Sequence, residues 1–148
     1  MVGEPGVAED LARIGPRYPL MQDARIVLFG YEPNPPEIPV LERHSMPRYL
    51  AEVVRGRPGE VTAEAVALLE GRADRFVVHF DVVVTGTDPP QHNASLKLEE
   101  AFACLEVFAA CPAFGGLVIT EFNPDHADES GELAGMFVCG VAGALGGE

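Results

Sequence analysis

The sequence predicts an α/β fold built on a mainly parallel sheet with helices on its faces, and three observations carry that expectation. Residues 25–31 (RIVLFGY), 75–84 (RFVVHFDVVV) and 116–122 (GLVITEF) are near-continuous apolar runs rich in branched and aromatic side chains. That pattern belongs to strands buried on both faces, which parallel sheets contain. Between the last two runs lies a segment whose apolar residues recur at helical spacing, so strands and helices alternate along the chain. Finally, 148 residues with 47% hydrophobic and 22% charged side chains make one domain's worth of chain, residues 1–148, with enough apolar material for a core.

The elements follow in order. Residues 7–14 read as a short helix closed by Gly15-Pro16. The strand at 25–31 is bounded by Asp23 and by a cluster of prolines. Residues 33–39 (PNPPEIP) hold four prolines and read as a loop. Residues 46–54 read as a helix, with Ser45 as its cap and Pro47 in its first turn. Residues 62–70 read as a second helix, capped by Thr62 and stopped by Gly71. After the 75–84 strand comes a polar, Pro-containing loop at 85–94. Leu98, Ala101, Phe102, Leu105, Phe108 and Ala109 then mark an amphipathic helix over 98–110, ended by Cys111-Pro112. The 116–122 strand follows. A terminal helix over 133–145 carries no charge and contains Gly135, Gly140 and Gly143, each costing roughly 1 kcal/mol relative to Ala.

Charge and composition exclude several functions. Ten basic against 23 acidic residues give a formal charge of −13, which repels phosphate backbones and argues against nucleic-acid binding. The 133–145 apolar run is too short for a bilayer span, and no leader segment is expected from the first residues. Three cysteines, Cys104, Cys111 and Cys139, are sparse and odd in number. They read as reduced thiols of a cytoplasmic protein. No phosphate-binding glycine motif and no serine-nucleophile elbow occurs.

Two acidic residues fall near the carboxyl ends of predicted strands, where open parallel sheets bind ligands. Asp81 lies near the end of 75–84, and Glu121 near the end of 116–122. A carboxylate on an apolar strand is costly to bury unless a partner, ligand or metal compensates it. His79 shares the Asp81 face of its strand and reads as a satisfied strand histidine. Asp125, His126, Asp128 and Glu129 read as a solvated cluster.

The segment His79-Phe80-Asp81-Val82-Val83, the helix beginning Leu98-Glu99-Glu100-Ala101, and the strand Gly116 to Phe122 followed by Asn123-Pro124 resemble the C-terminal part of the arginase/agmatinase (ureohydrolase) family. That family carries F-D-V-D-V, then a variable loop and an amphipathic helix, then E-x-N-P. The resemblance runs from about Asp23 onward and is strongest from Arg75 to Asp128. It implies a partial arginase-like domain of three-layer α/β/α form. It also implies hydrolysis of a guanidino or amidino C–N bond at a two-manganese site. Position by position, it gives Asp81 as a metal ligand and Glu121 as the catalytic and substrate-binding group that accepts the guanidinium. It further places His92 in the loop that shapes substrate access. Carboxylate oxygens suit Mn²⁺, and a carboxylate pairs with a guanidinium through charge-assisted hydrogen bonds.

The sequence also departs from that pattern. Val83 stands where the family has its second aspartate, and no D-x-H-x-D occurs in the 148 residues. The chain is therefore expected to begin downstream of the family's other metal motifs. Two outcomes follow as expectations. Either a partner chain supplies the N-terminal part and completes a hydrolase, or the chain is a catalytically inactive relative acting through association, including with copies of itself. Lys97 in place of a capping Ser or Thr before the 98–110 helix is expected to cost the capping box.

Overall fold

A computed structural model of the chain describes residues 10, 13, 15–18, 21–82, 96–122 and 131–146. The expected helix at 7–14, the 85–94 loop, and the 125–129 cluster lie outside those residues or almost wholly so. After a short 3-10 turn at Asp23–Arg25 come β1 (Leu28–Tyr31), α1 (Ile38–Glu42), β2 (Arg48–Leu50), α2 (Ala51–Val54) and α3 (Pro58–Glu70). Then follow β3 (Phe76–Asp81), α4 (Leu98–Ala110), β4 (Phe114–Thr120) and α5 (Glu132–Ala144). Every pairing among these strands is parallel, as the apolar runs predict: β1 with β2, and β3 with β4. Among the described residues the strands form two separate pairs.

Three local expectations change. The loop at 33–39 gives way to a short helix from Ile38, whose second residue, Pro39, sits where a missing N–H costs nothing. The helix expected over 46–54 begins only at Ala51. Arg48, Tyr49 and Leu50 are instead drawn into a ladder with Leu28, Phe29 and Tyr31. Ser45 accordingly caps nothing, and its N–H donates to the Asp23 carboxylate at 2.8 Å. The 62–70 helix starts a turn earlier, with Pro58 at its N-terminus. Thr62 is therefore an interior residue, fully buried, and its hydroxyl donates to the Pro58 carbonyl at 2.6 Å.

Helix α4 matches its expected span residue for residue. Its apolar stripe of Ala101, Cys104, Leu105 and Phe108 is buried. Of the capping box, one half survives: the Glu100 carboxylate accepts the Lys97 N–H at 3.0 Å, and also the Gly56 N–H at 3.1 Å. Those two donors, Lys97 first, hold the Glu100 carboxyl below its ordinary value.

Side chains pointing to one side of β3 (Phe76, Val78 and Phe80) enter two adjoining apolar clusters. One joins them to Val61 and Ala65 of α3 and to Cys104 and Phe108 of α4. The other adds Phe137, Val141 and Ala144 of α5. The Phe108 ring bridges the two strand pairs, edge-on to Phe29 at 5.3 Å and to Phe76 at 6.1 Å. Each such pair contributes about 0.5–1.5 kcal/mol beyond its buried area. Helices α4 and α5 approach closely at Gly140, where a Cβ would overlap the Phe102 ring.

The opposite side of the β3–β4 pair is different. The 116–122 run was expected to be a strand buried on both faces, yet Val118 is 49% exposed and its neighbour Val77 is 62% exposed. His79, in register with Val118, is exposed as well. Among the described residues, helices cover one face of this pair and the other is bare.

Candidate active site

Parallel pairing sets the carboxyl ends of adjacent strands side by side. Asp81 closes β3 in register with Thr120, the last residue of β4, and Glu121 follows immediately. The two carboxylates singled out in the sequence therefore come to one end of one strand pair. Asp81 is half-buried and Glu121 exposed. His79, Asp81 and Thr120 share the bare face, as the two-residue period of a strand requires. The Thr120 hydroxyl and His79 Nε2 share a hydrogen bond of 2.8 Å. This satisfies His79 and gives Thr120 a role the sequence did not suggest. The readable signal for it was its place directly before the E-F-N-P motif.

Glu121 adopts φ 59°, the left-handed region, alone among the described non-glycine residues. For a residue with a side chain this costs about 1–2 kcal/mol. Both neighbours hold it there. Thr120 is fixed by the ladder and by His79. Phe122 stacks on Phe137 of α5, with ring centroids 4.7 Å apart and planes 16° from parallel. A strained residue held from both sides is a recurring property of functional positions. The turn takes the Glu121 side chain out of strand alternation and leaves it exposed beside the half-buried Asp81.

A second polar cluster, which sequence reasoning missed, lies at the start of the fold. The Asp23 carboxylate accepts the Ser45 N–H and sits 3.0 Å from His44 Nδ1. The Ser45 N–H, and then His44, hold the Asp23 carboxyl below its usual value. Cys104 and Cys111 are buried and separate, and burial pushes the Cys104 thiol up. The Cys111 Sγ lies 3.3 Å from Glu70 Oε1.

His92 and Val83 lie outside the described residues, as do Asn123 and Pro124 of the second motif. A dinuclear manganese centre needs several converging hard donors. Among the described residues no group of three or more His, Cys, Asp or Glu side chains could hold a metal ion. Asp81 is a single carboxylate, so these residues do not by themselves fit such a centre. No helix among them is long and apolar enough to cross a membrane.

A helix-backed parallel strand pair with both carboxylates at its carboxyl end is the arrangement expected of an arginase-like fold. The match to solved structures bears this out. The chain is similar to the arginase of Bacillus caldovelox, with 24% identity and a TM-score of 0.74 over 93% of this chain and 48% of that one. It is similar to an arginase of Bacillus subtilis, with 17% identity and a TM-score of 0.73 over 95% and 50%. The formimidoylglutamase of Bacillus subtilis follows at 14% identity and a TM-score of 0.64 over 84% and 42%. The chain thus spans about half the length of the structures it matches. No family model matches the sequence, and no curated protein does.

Proposed function

We propose that the chain contributes to an arginase-like hydrolase of guanidino or amidino C–N bonds, in which Glu121 receives the cationic end of the substrate. The observation that carries this reading is the convergence of Asp81 and Glu121 at one end of a parallel pair, within a fold shared with two arginases and a formimidoylglutamase. An exposed carboxylate can take a guanidinium through two parallel N–H···O bonds. The formal charge of −13 draws cationic substrates toward the chain. Asp81 offers one hard oxygen donor toward manganese, and the remaining donors would come from outside the described residues.

Titration with arginine and with agmatine, followed by NMR shifts of the residues at the ends of β3 and β4, tests the substrate role. Glu121→Gln is expected to weaken binding at least about tenfold, the scale of a lost charge-assisted hydrogen bond. Unchanged affinity would remove Glu121 from the site. A second reading has its own support, since Val83 stands where the resembled motif has an aspartate. On that reading the chain keeps the fold and acts by association alone. Urea release from arginine or agmatine, with Mn²⁺ supplied, then stays at background for the chain by itself, and Val83→Asp does not restore it.

A further inference from the structure

We propose that His79 is a positioning residue that sets specificity: through Thr120 it holds Glu121 in the backbone setting from which a planar guanidinium is selected over a simple ammonium. The guanidinium ligand rests on the functional reading above; the tie from His79 to Glu121 is read from the structure.

The parts lie on two adjacent strands. His79 stands opposite Val118 and Asp81 opposite Thr120, so His79 reaches diagonally across the pair to the last residue of β4. Its Nε2 lies 2.8 Å from Thr120 Oγ. A hydroxyl both donates and accepts, so either ring tautomer can make this bond. It ties down the side chain immediately before Glu121, which alone among the described non-glycine residues lies in the left-handed region, at φ 59°. On the other side, Phe122 is held by its stack on Phe137. The cost of a left-handed angle is comparable with the worth of one hydrogen bond or one ring stack. Removing either support is therefore enough to shift where Glu121 settles.

Where it settles decides what it can bind. The backbone angle sets the direction in which the Cα–Cβ bond leaves the chain, while the rotations beyond it stay free. Were residue 121 extended, strand alternation would send its side chain to the Leu117 side of the pair, which packs on α4 and α5. The left-handed turn takes it out of that alternation at the strand end, one residue past the Asp81–Thr120 pair. A guanidinium needs both carboxylate oxygens in one plane for its two parallel bonds, whereas an ammonium is a point charge that meets a carboxylate from many directions. Loss of the tie should thus cost guanidinium affinity and spare ammonium affinity. The imidazole acts without touching the ligand, and no change in its charge is invoked.

Isothermal titration with agmatine and with 1,4-diaminobutane, which carries an ammonium in place of the guanidinium, tests this. His79→Phe and Thr120→Val should each weaken agmatine binding about three- to tenfold, the scale of one neutral hydrogen bond, and leave 1,4-diaminobutane unchanged. His79→Gln, whose amide nitrogen can take the place of Nε2, should restore agmatine affinity. The double variant His79→Phe/Thr120→Val should be no worse than either single one. In the free protein, the three-bond HN–Hα coupling of Glu121, which reports φ, should rise toward the extended value in His79→Phe and not in His79→Gln. Equal losses for both cations, additive losses in the double variant, or a coupling that does not move would overturn the proposal. Glu121→Gln keeps the two failures apart. If it weakens agmatine binding and His79→Phe does not, the positioning role falls and the functional reading stands. If it leaves agmatine unchanged, the functional reading falls and takes the guanidinium preference with it, while the coupling still decides whether His79 holds the backbone.

Discussion

Glu121 shows how much of a site can rest on one backbone angle. Its φ of 59° is tolerated by Gly and is worst for β-branched residues. Glu121→Gly is therefore expected to hold or raise stability, by up to about 1 kcal/mol, while abolishing guanidinium binding. Glu121→Val should lower stability by about 1 kcal/mol or more relative to wild type. Thermal unfolding of the two variants, set beside agmatine titration, separates strain from chemistry. If both variants unfold like wild type, the angle carries no strain. Asp23 gives a second prediction at this scale. Its folded-state carboxyl lies below the ordinary 3.8 because Ser45 and His44 favour the charged form. Its stabilising contribution is thus complete above that value and is lost as pH falls through the lowered one. Asp23→Asn should lower the melting temperature at neutral pH and flatten the acid limb below about pH 3.8. Acid titration of both proteins by circular dichroism would check it.

At the level of elements, α5 separates glycines that the sequence made look alike. Gly135 and Gly143 have open space where a Cβ would go, whereas Gly140 faces the Phe102 ring. Alanine at 135 or 143 should stabilise by roughly 0.5–1 kcal/mol through helix propensity. Alanine at 140 should destabilise by about 1–3 kcal/mol, because overpacking against a rigid ring outweighs that gain. Chemical denaturation of the three single variants decides it, and a stabilising Gly140→Ala would contradict the packing described. The same contrast marks the reach of sequence reading. The span of α4 was legible because Leu98, Ala101, Leu105 and Phe108 carry an unbroken helical period. The segment at 46–54 was misread because Arg48, Tyr49 and Leu50 become a strand only through pairing with β1, a long-range fact with no local signature. Thr62 looked like a cap because the better start, Pro58 after Arg57, lacks a capping side chain. Asp81 and Glu121 could be placed from strand ends alone. The angle at Glu121 and the supports from His79 and Phe137 could not, since they depend on which element lies next to which.

Over the whole molecule, charge and coverage dominate. A formal charge of −13 on 148 residues makes self-repulsion a standing cost to the compact state. Raising salt from about 0.01 M to 0.15 M shortens the screening distance from about 30 Å to 8 Å. The melting temperature should therefore rise by a few degrees, the scale on which about 1 kcal/mol appears for a chain of this size. A fall with added salt would mean that attractive pairs outweigh repulsion.

Among the described residues the outer rims of β3 and β4 pair with no further strand, and this bears on how the free chain must be handled. Backbone amides and carbonyls in an extended row accept any extended peptide, cognate or not, and Val77, Val118 and Ile119 add exposed apolar contact along the same ribbon. Held concentrated near the pH where its charge vanishes, the chain is expected to lengthen edge to edge into fibrils that bind thioflavin T. Lysine at position 77 or 118 would be the simplest remedy.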